Sequence, residues 1–91
     1  MSAHAEVTVY AARTCPYCVR AEKLLKSKGV AYRRERIWLF LPGGRRPLVE
    51  RFGAEHTTVP QIVIDGEHVG GCDDLVALEQ SGRLDELLGR A

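Results

Sequence analysis

Three cysteines carry most of the chemistry open to this 91-residue sequence, and their spacing divides them into a pair and a single. The pair is Cys15-Pro16-Tyr17-Cys18; Cys72 follows more than fifty positions later. Two thiols three residues apart at the head of a helix occupy neighbouring positions on one face and can close a disulfide. Their environments differ. Cys15, at the helix terminus, faces unpaired backbone N–H groups and the positive end of the helix dipole, which favour a sulfur anion; Cys18 lies a turn further in. The expected chemistry is therefore attack by Cys15 on a disulfide sulfur, a mixed disulfide, and release by Cys18 or by an external thiol.

Zinc is the competing use of a Cys-x-x-Cys pair. No second such pair exists, and His56, His68 and Cys72 do not stand at standard ligand spacing, so no metal site is expected. A disulfide-held secreted scaffold would normally carry an even and larger set of cysteines, so a reducing cytoplasm is expected, with a processed organellar protein as the alternative. His4, His56 and His68 are expected on the surface, because a thiolate at a helix terminus needs no histidine.

The rest of the composition bounds the answer. Residues 1–91 are enough for one domain and too few for two. Apolar residues at 45% and charged residues at 27% are ordinary for a globular chain, which disfavours collagenous, coiled-coil and disordered readings. A net charge of +1 is too balanced for non-specific nucleic-acid or anionic-membrane binding, so neither partner is expected. The apolar run 37–41 falls far below the roughly 20 residues of a membrane span. Met1 to Glu6 lacks the basic and apolar regions of a targeting segment.

The elements that must hold the cysteines alternate along the chain. Glu6 to Tyr10 is β-branched and aromatic, as in a buried strand. Thr14 or Cys15 can cap the next helix, Pro16 suits its first position and Gly29 its end; Tyr17, Ala21, Leu24 and Leu25 form its apolar stripe. Val30 to Ile37 is expected as a polar second strand, Pro42-Gly43-Gly44 as a turn, and Pro47 to Gly53 as a short helix. Gln61 to Ile64 and Glu67 to Val69 form a hairpin about Asp65-Gly66. Asp73 or Asp74 is the expected cap of a helix bearing Leu75, Val76 and Leu78, and Leu84, Leu87 and Leu88 mark a last helical segment. The order is βαβ-α-ββ-α, an α/β chain whose first two strands are parallel and whose helices cover both faces of one sheet.

Cys15-Pro16-Tyr17-Cys18, then Thr57-Thr58-Val59-Pro60-Gln61, then Gly70-Gly71-Cys72-Asp73-Asp74-Leu75 resemble the motifs of a dithiol glutaredoxin of the thioredoxin superfamily, in order and over nearly the whole chain. The resemblance implies a thioredoxin-like three-layer αβα sandwich on a four-stranded mixed sheet. It implies glutathione-dependent reduction of protein disulfides and glutathione-mixed disulfides, with Cys15 as nucleophile and Cys18 as resolving thiol. Glutathione enters as co-substrate, with no tightly bound cofactor and no metal. The glutathione contacts it implies are Arg13, Tyr17, Thr58, Val59, Pro60, Cys72, Asp73 and Asp74, with a cis bond before Pro60. Expected partners are glutathione and glutathionylated or disulfide-containing proteins, ribonucleotide reductase among them, served by a cytoplasmic monomer. Physically, Gly70-Gly71 permits close backbone approach, and the helix start at Asp73 offers N–H groups to a carboxylate. Two alternatives stay open: a dithiol reductase using thioredoxin reductase or another low-molecular-weight thiol, and an iron–sulfur carrier with Cys15 of two subunits and two glutathione thiols as ligands.

The sequence departs from the family pattern twice. Ala12 stands where many glutaredoxins have a lysine for a glutathione carboxylate, leaving Arg13, Arg45 or Arg46 to take that part. Trp38-Leu39-Phe40-Leu41 is apolar where a polar strand end is expected; it is expected to fold onto the core, with an exposed partner surface as the alternative. Cys72 is expected as a small buried residue, ahead of a site of glutathionylation or a disulfide partner.

Overall fold

A computed structural model describes residues 5–55 and 57–89. Its sheet grows outward from two central strands, β1 (Val7–Ala11) and β3 (Gln61–Ile64), which run antiparallel with Val7 opposite Ile64 and Tyr10 opposite Gln61. β2 (Arg33–Arg36) pairs parallel with β1 on one side, and β4 (Glu67–Gly70) antiparallel with β3 on the other, giving the order β2-β1-β3-β4. Every residue of β3 is buried, as expected of an apolar strand flanked on both sides and covered on both faces. β2 is shorter than the expected Val30 to Ile37 and sits at an edge, where three arginines and a glutamate meet solvent without penalty and discourage further strand pairing.

Alternation along β1 assigns the two layers. Val7, Val9 and Ala11 point into the main core, which Cys18, Ala21 and Leu25 of α1 (Pro16–Ser27), Leu75 of α3 (Cys72–Gln80) and Leu84 of α4 (Arg83–Leu87) complete with Ile62 and Ile64. Tyr10 points the other way and meets Phe52 of α2 (Arg46–Phe52) edge-on, ring centroids 5.2 Å apart. The result is the three-layer αβα sandwich with a four-stranded mixed sheet, in the expected element order. Lys28, just past α1, ties the far ends of that layer together through Glu79 at 2.6 Å and Asp85 at 3.1 Å.

Two local expectations need correction. α3 starts at Cys72 with Gly71 as its N-cap, so Asp73 and Asp74 lie inside the first turn and neither is the cap residue. The reason is that Asp74 reaches back one turn to accept the Gly71 N–H at 3.0 Å, while both carboxylates meet the positive end of the helix dipole. The second concerns the apolar run after β2. Ile37 is fully buried, but Trp38 is 51% and Phe40 90% exposed. Ile37 and Leu48 already fill the core at either end of this stretch, and the Leu41 N–H to Trp38 and Gly44 N–H to Leu41 hydrogen bonds wind the chain between them into turns outside it. His4 and His56 lie outside the described residues. His68 is not a surface residue: it is half-buried, with its ring stacked on Phe52 at 4.1 Å.

Candidate functional site

Cys15 is the N-cap of α1, in extended backbone conformation, with Pro16 following where a missing N–H costs nothing. Its sulfur accepts the Cys18 N–H at 3.2 Å, so a backbone donor points at the atom expected to carry negative charge. The Cys15 thiol itself stands 3.8 Å from the Val59 carbonyl oxygen. Cys15 is half-buried and Cys18 fully buried. Burial, with the hydrogen bond to Cys15 behind it, pushes the Cys18 thiol up to about 12, so Cys18 holds its proton at neutral pH. The pair is unequal in place: Cys15 caps the helix half-buried, and Cys18 is buried a turn inside.

Val59 joins the cysteine to a groove of about 560 Å³. Its lining comes from Tyr17 in the first turn of α1, from Thr58, Val59 and Pro60 before β3, and from Val69 to Asp74 at the end of β4 and the start of α3. The Val59–Pro60 bond is cis, as the resemblance implies. Tyr17, Thr58, Val59, Pro60, Cys72, Asp73 and Asp74 are thus brought together around one cavity, and the first turn of α3, with its unpaired N–H groups, lies along its edge. Cys72 is buried at that edge, and burial pushes its thiol up. Arg13 is placed elsewhere: it lines a separate apolar depression with Ala12, Thr14 and Trp38. Arg45, by contrast, donates from Nη1 to the Thr57 carbonyl at 2.6 Å, one residue from the groove wall.

The sequence left Gln61 and His68 without a role, yet both line the groove. Gln61 is buried and donates from Nε2 to the Thr58 carbonyl at 3.0 Å and the Thr58 hydroxyl at 3.3 Å, while its Oε1 meets His68 Nε2 at 2.7 Å. The amide therefore holds Thr58 from below, and β4 supports the amide. Only a polar residue opening an otherwise apolar strand signalled this. Among the described residues no cluster of three or more His, Cys, Asp or Glu side chains is arranged to hold a metal ion, and no helix is long and apolar enough to cross a membrane.

A dithiol on a helix head beside a cis-proline wall invites comparison with known proteins. The Glutaredoxin family profile matches residues 7–69. Glutaredoxin 3 of Escherichia coli (strain K12) is 49% identical over 87 residues, covering 92% of this chain and 98% of that protein. The solution structure of glutaredoxin from Brucella melitensis superposes with a TM-score of 0.79 at 43% identity, covering 98% of this chain and 94% of that one. The crystal structure of a buckwheat glutaredoxin–glutathione complex gives 0.77 at 29% identity, covering 92% and 76%. Sequence, fold and the asymmetric cysteine pair agree, and the chain belongs to the glutaredoxin family as a thiol–disulfide oxidoreductase.

Proposed function

We propose that the chain reduces glutathione-mixed disulfides and protein disulfides with glutathione as electron donor, acting as one domain and as a monomer in a reducing cytoplasm. The observation that carries this reading is the placement of the Cys15 sulfur between the Cys18 amide and Val59, at the mouth of a groove sized for a tripeptide. The Cys15 thiolate attacks one sulfur of the substrate disulfide; that S–S bond breaks as the Cys15 S–S bond forms, and the leaving thiolate takes a proton. On a glutathione adduct, a second glutathione thiolate attacks the adduct's glutathione sulfur, so that glutathione disulfide forms and Cys15 leaves as a thiolate. On a protein adduct, Cys18 after losing its proton attacks the Cys15 sulfur, the protein thiolate leaves, and the Cys15–Cys18 disulfide is reduced by two glutathione molecules. Because burial holds the Cys18 proton, external glutathione is the faster resolver of a glutathione adduct, and Cys18 serves protein adducts that exclude a second thiol.

The groove suits the tripeptide in parts. Backbone groups of Thr58 and Val59 pair with an extended peptide, and the N–H groups opening α3 receive the γ-glutamyl carboxylate, with Cys72, Asp73 and Asp74 nearest. Tyr17 and Pro60 supply apolar contact. The second carboxylate falls to Arg13 or Arg45; Arg45 has the better claim because it already holds the carbonyl of Thr57. The glutathione complex of the buckwheat relative supports the same choice of ligand.

The test is turnover of the mixed disulfide of glutathione and cysteine, coupled to glutathione reductase. Cys15→Ser abolishes it, and Cys18→Ser retains it while losing protein-disulfide reduction. Turnover that needs thioredoxin reductase instead would reject glutathione as donor, and equal loss in both variants would reject the monothiol step.

A further inference from the structure

The exposed apolar loop after β2 shares a depression with the three residues that precede Cys15. Ala12, Arg13 and Thr14 form one wall of a depression of about 320 Å³ whose other wall is Ile37 to Leu41. Leu39 and Leu41 also line a second depression of about 400 Å³ with Arg45, Arg46 and Val49, so the two make one track that begins at the residue preceding Cys15. The track is preformed. The two turns of the loop are hydrogen-bonded, and Gly44 packs so closely that a Cβ there would run into the Trp38 carbonyl.

Its chemistry is apolar with a cationic border. Phe40 is 90% exposed, and the Arg36 guanidinium lies over the Trp38 ring at 5.3 Å. Residues 33–51 carry six arginines against two glutamates, in a chain whose whole balance is +1. The groove beside Val59 shares no lining residue with this track, which glutathione would meet only where Arg13 or Arg45 takes its second carboxylate. A protein whose disulfide sits on Cys15 covers it, because Thr14 is both the neighbour of Cys15 and part of the wall.

We propose that the track receives the segment flanking the disulfide of a protein substrate, an extended stretch with an aromatic or aliphatic side chain set among aspartates or glutamates. The apolar side chain packs against Trp38 and Phe40 and the carboxylates pair with Arg36, Arg45 and Arg46. This rests on the disulfide-reductase reading and adds the recognition of protein over small substrates.

Two synthetic disulfide-linked peptides differing only in their flanks, phenylalanine among glutamates against serine among lysines, test it beside the mixed disulfide of glutathione and cysteine. The wild-type chain should favour the acidic aromatic peptide by about tenfold in kcat/KM, the scale of one well-packed anchor. Trp38→Ser with Phe40→Ser should bring the two peptides within about twofold and leave the small mixed disulfide within about twofold of wild type. Gly44→Ala, which displaces the loop without removing either ring, should weaken the preference in the same direction. Equal wild-type rates on both peptides, or an equal fall on all three probes in the double variant, would overturn the proposal. So would sedimentation showing a dimer that Phe40→Ser dissolves, which would assign the track to a second copy. Failure of the wild type on the small mixed disulfide with the peptide preference intact would reject glutathione dependence and support the track.

Discussion

The backbone amide of Cys18 donates to the sulfur of Cys15 across 3.2 Å, so the residue proposed to resolve the adduct also holds, through its amide, the sulfur proposed to form it. Negative charge on Cys15 gains that donor, whereas the Cys18 thiol is buried beside the same sulfur and keeps its proton. Burial raises the Cys18 thiol far enough above neutral pH that it stays protonated there. Iodoacetamide at neutral pH should therefore modify one cysteine quickly, and peptide mapping should find it at Cys15. Cys18 and Cys72, both buried, should react slower by at least about a hundredfold. Similar labelling of Cys15 and Cys18 would refute the assignment of nucleophile and resolver.

Buried groups that resist ionisation make the reduced fold sensitive to base. The Cys18 thiol is raised from 9.0 to about 12, and burial with a hydrogen bond to Glu22 raises the Tyr32 hydroxyl from 10.0 to about 12. In both cases the folded state keeps a proton that the unfolded state gives up. The stabilisation is complete below the unfolded value and is lost as pH climbs toward the folded one, from about pH 9 to about 12, with each group contributing a slope of up to about 1.4 kcal/mol per pH unit. Urea midpoints of the reduced chain should drop as pH rises from about 9 toward 12. The drop should shrink in Cys18→Ser with Tyr32→Phe; an unchanged drop would place the sensitivity elsewhere.

Gln61 connects the sheet to the groove wall. It is buried, it donates to both the carbonyl and the hydroxyl of Thr58, and its own oxygen is held by His68. Gln61→Leu keeps the volume and leaves the Thr58 carbonyl and His68 Nε2 short of this partner, which should cost about 1–3 kcal/mol of stability. Because Thr58 lines the groove proposed for glutathione and is not one of the two cysteines, KM for the mixed disulfide should rise with kcat nearly kept. A fall in kcat at constant KM would show that Gln61 acts on Cys15 instead.

Much of this is legible in the residues. Strand and helix periods, Pro16 at a helix start and the Asp65-Gly66 hairpin signal fix the element order, and Cys15 falls at the helix cap because the cap position and the proline agree. What escapes depends on contacts between elements. Nothing local distinguishes Arg13 from Arg45, yet α2 brings Arg45 to Thr57 while the turn before Cys15 sends Arg13 toward Trp38. His68 becomes a groove residue through Phe52 of α2 and Gln61 of β3, contacts between elements that no local pattern around His68 announces. Composition favours burial of the loop at Trp38, but Ile37 and Leu48 are the buried residues on either side of it, and the hydrogen-bonded turns between them leave Trp38 and Phe40 exposed.

The close approach of Gly70 to Asp74 gives the sharpest stability test. Gly70 has φ +120°, a region that side chains rarely adopt, and a Cβ there would run into the Asp74 carboxylate. That carboxylate is the group holding the Gly71 N–H at the start of α3. Gly70→Ala should thus destabilise in two ways, through backbone strain of about 1–3 kcal/mol and through displacement of Asp74 from its hydrogen bond. Asp74→Ala alone removes the hydrogen bond but leaves Gly70 unstrained. In the double variant the clash no longer exists, so its loss should be smaller than the sum of the two single losses, by about 0.5–3 kcal/mol for residues in direct contact. Urea unfolding of all four proteins measures the cycle. Strict additivity would mean that the methyl group introduced by Gly70→Ala does not meet Asp74, and that the backbone angle alone demands glycine there.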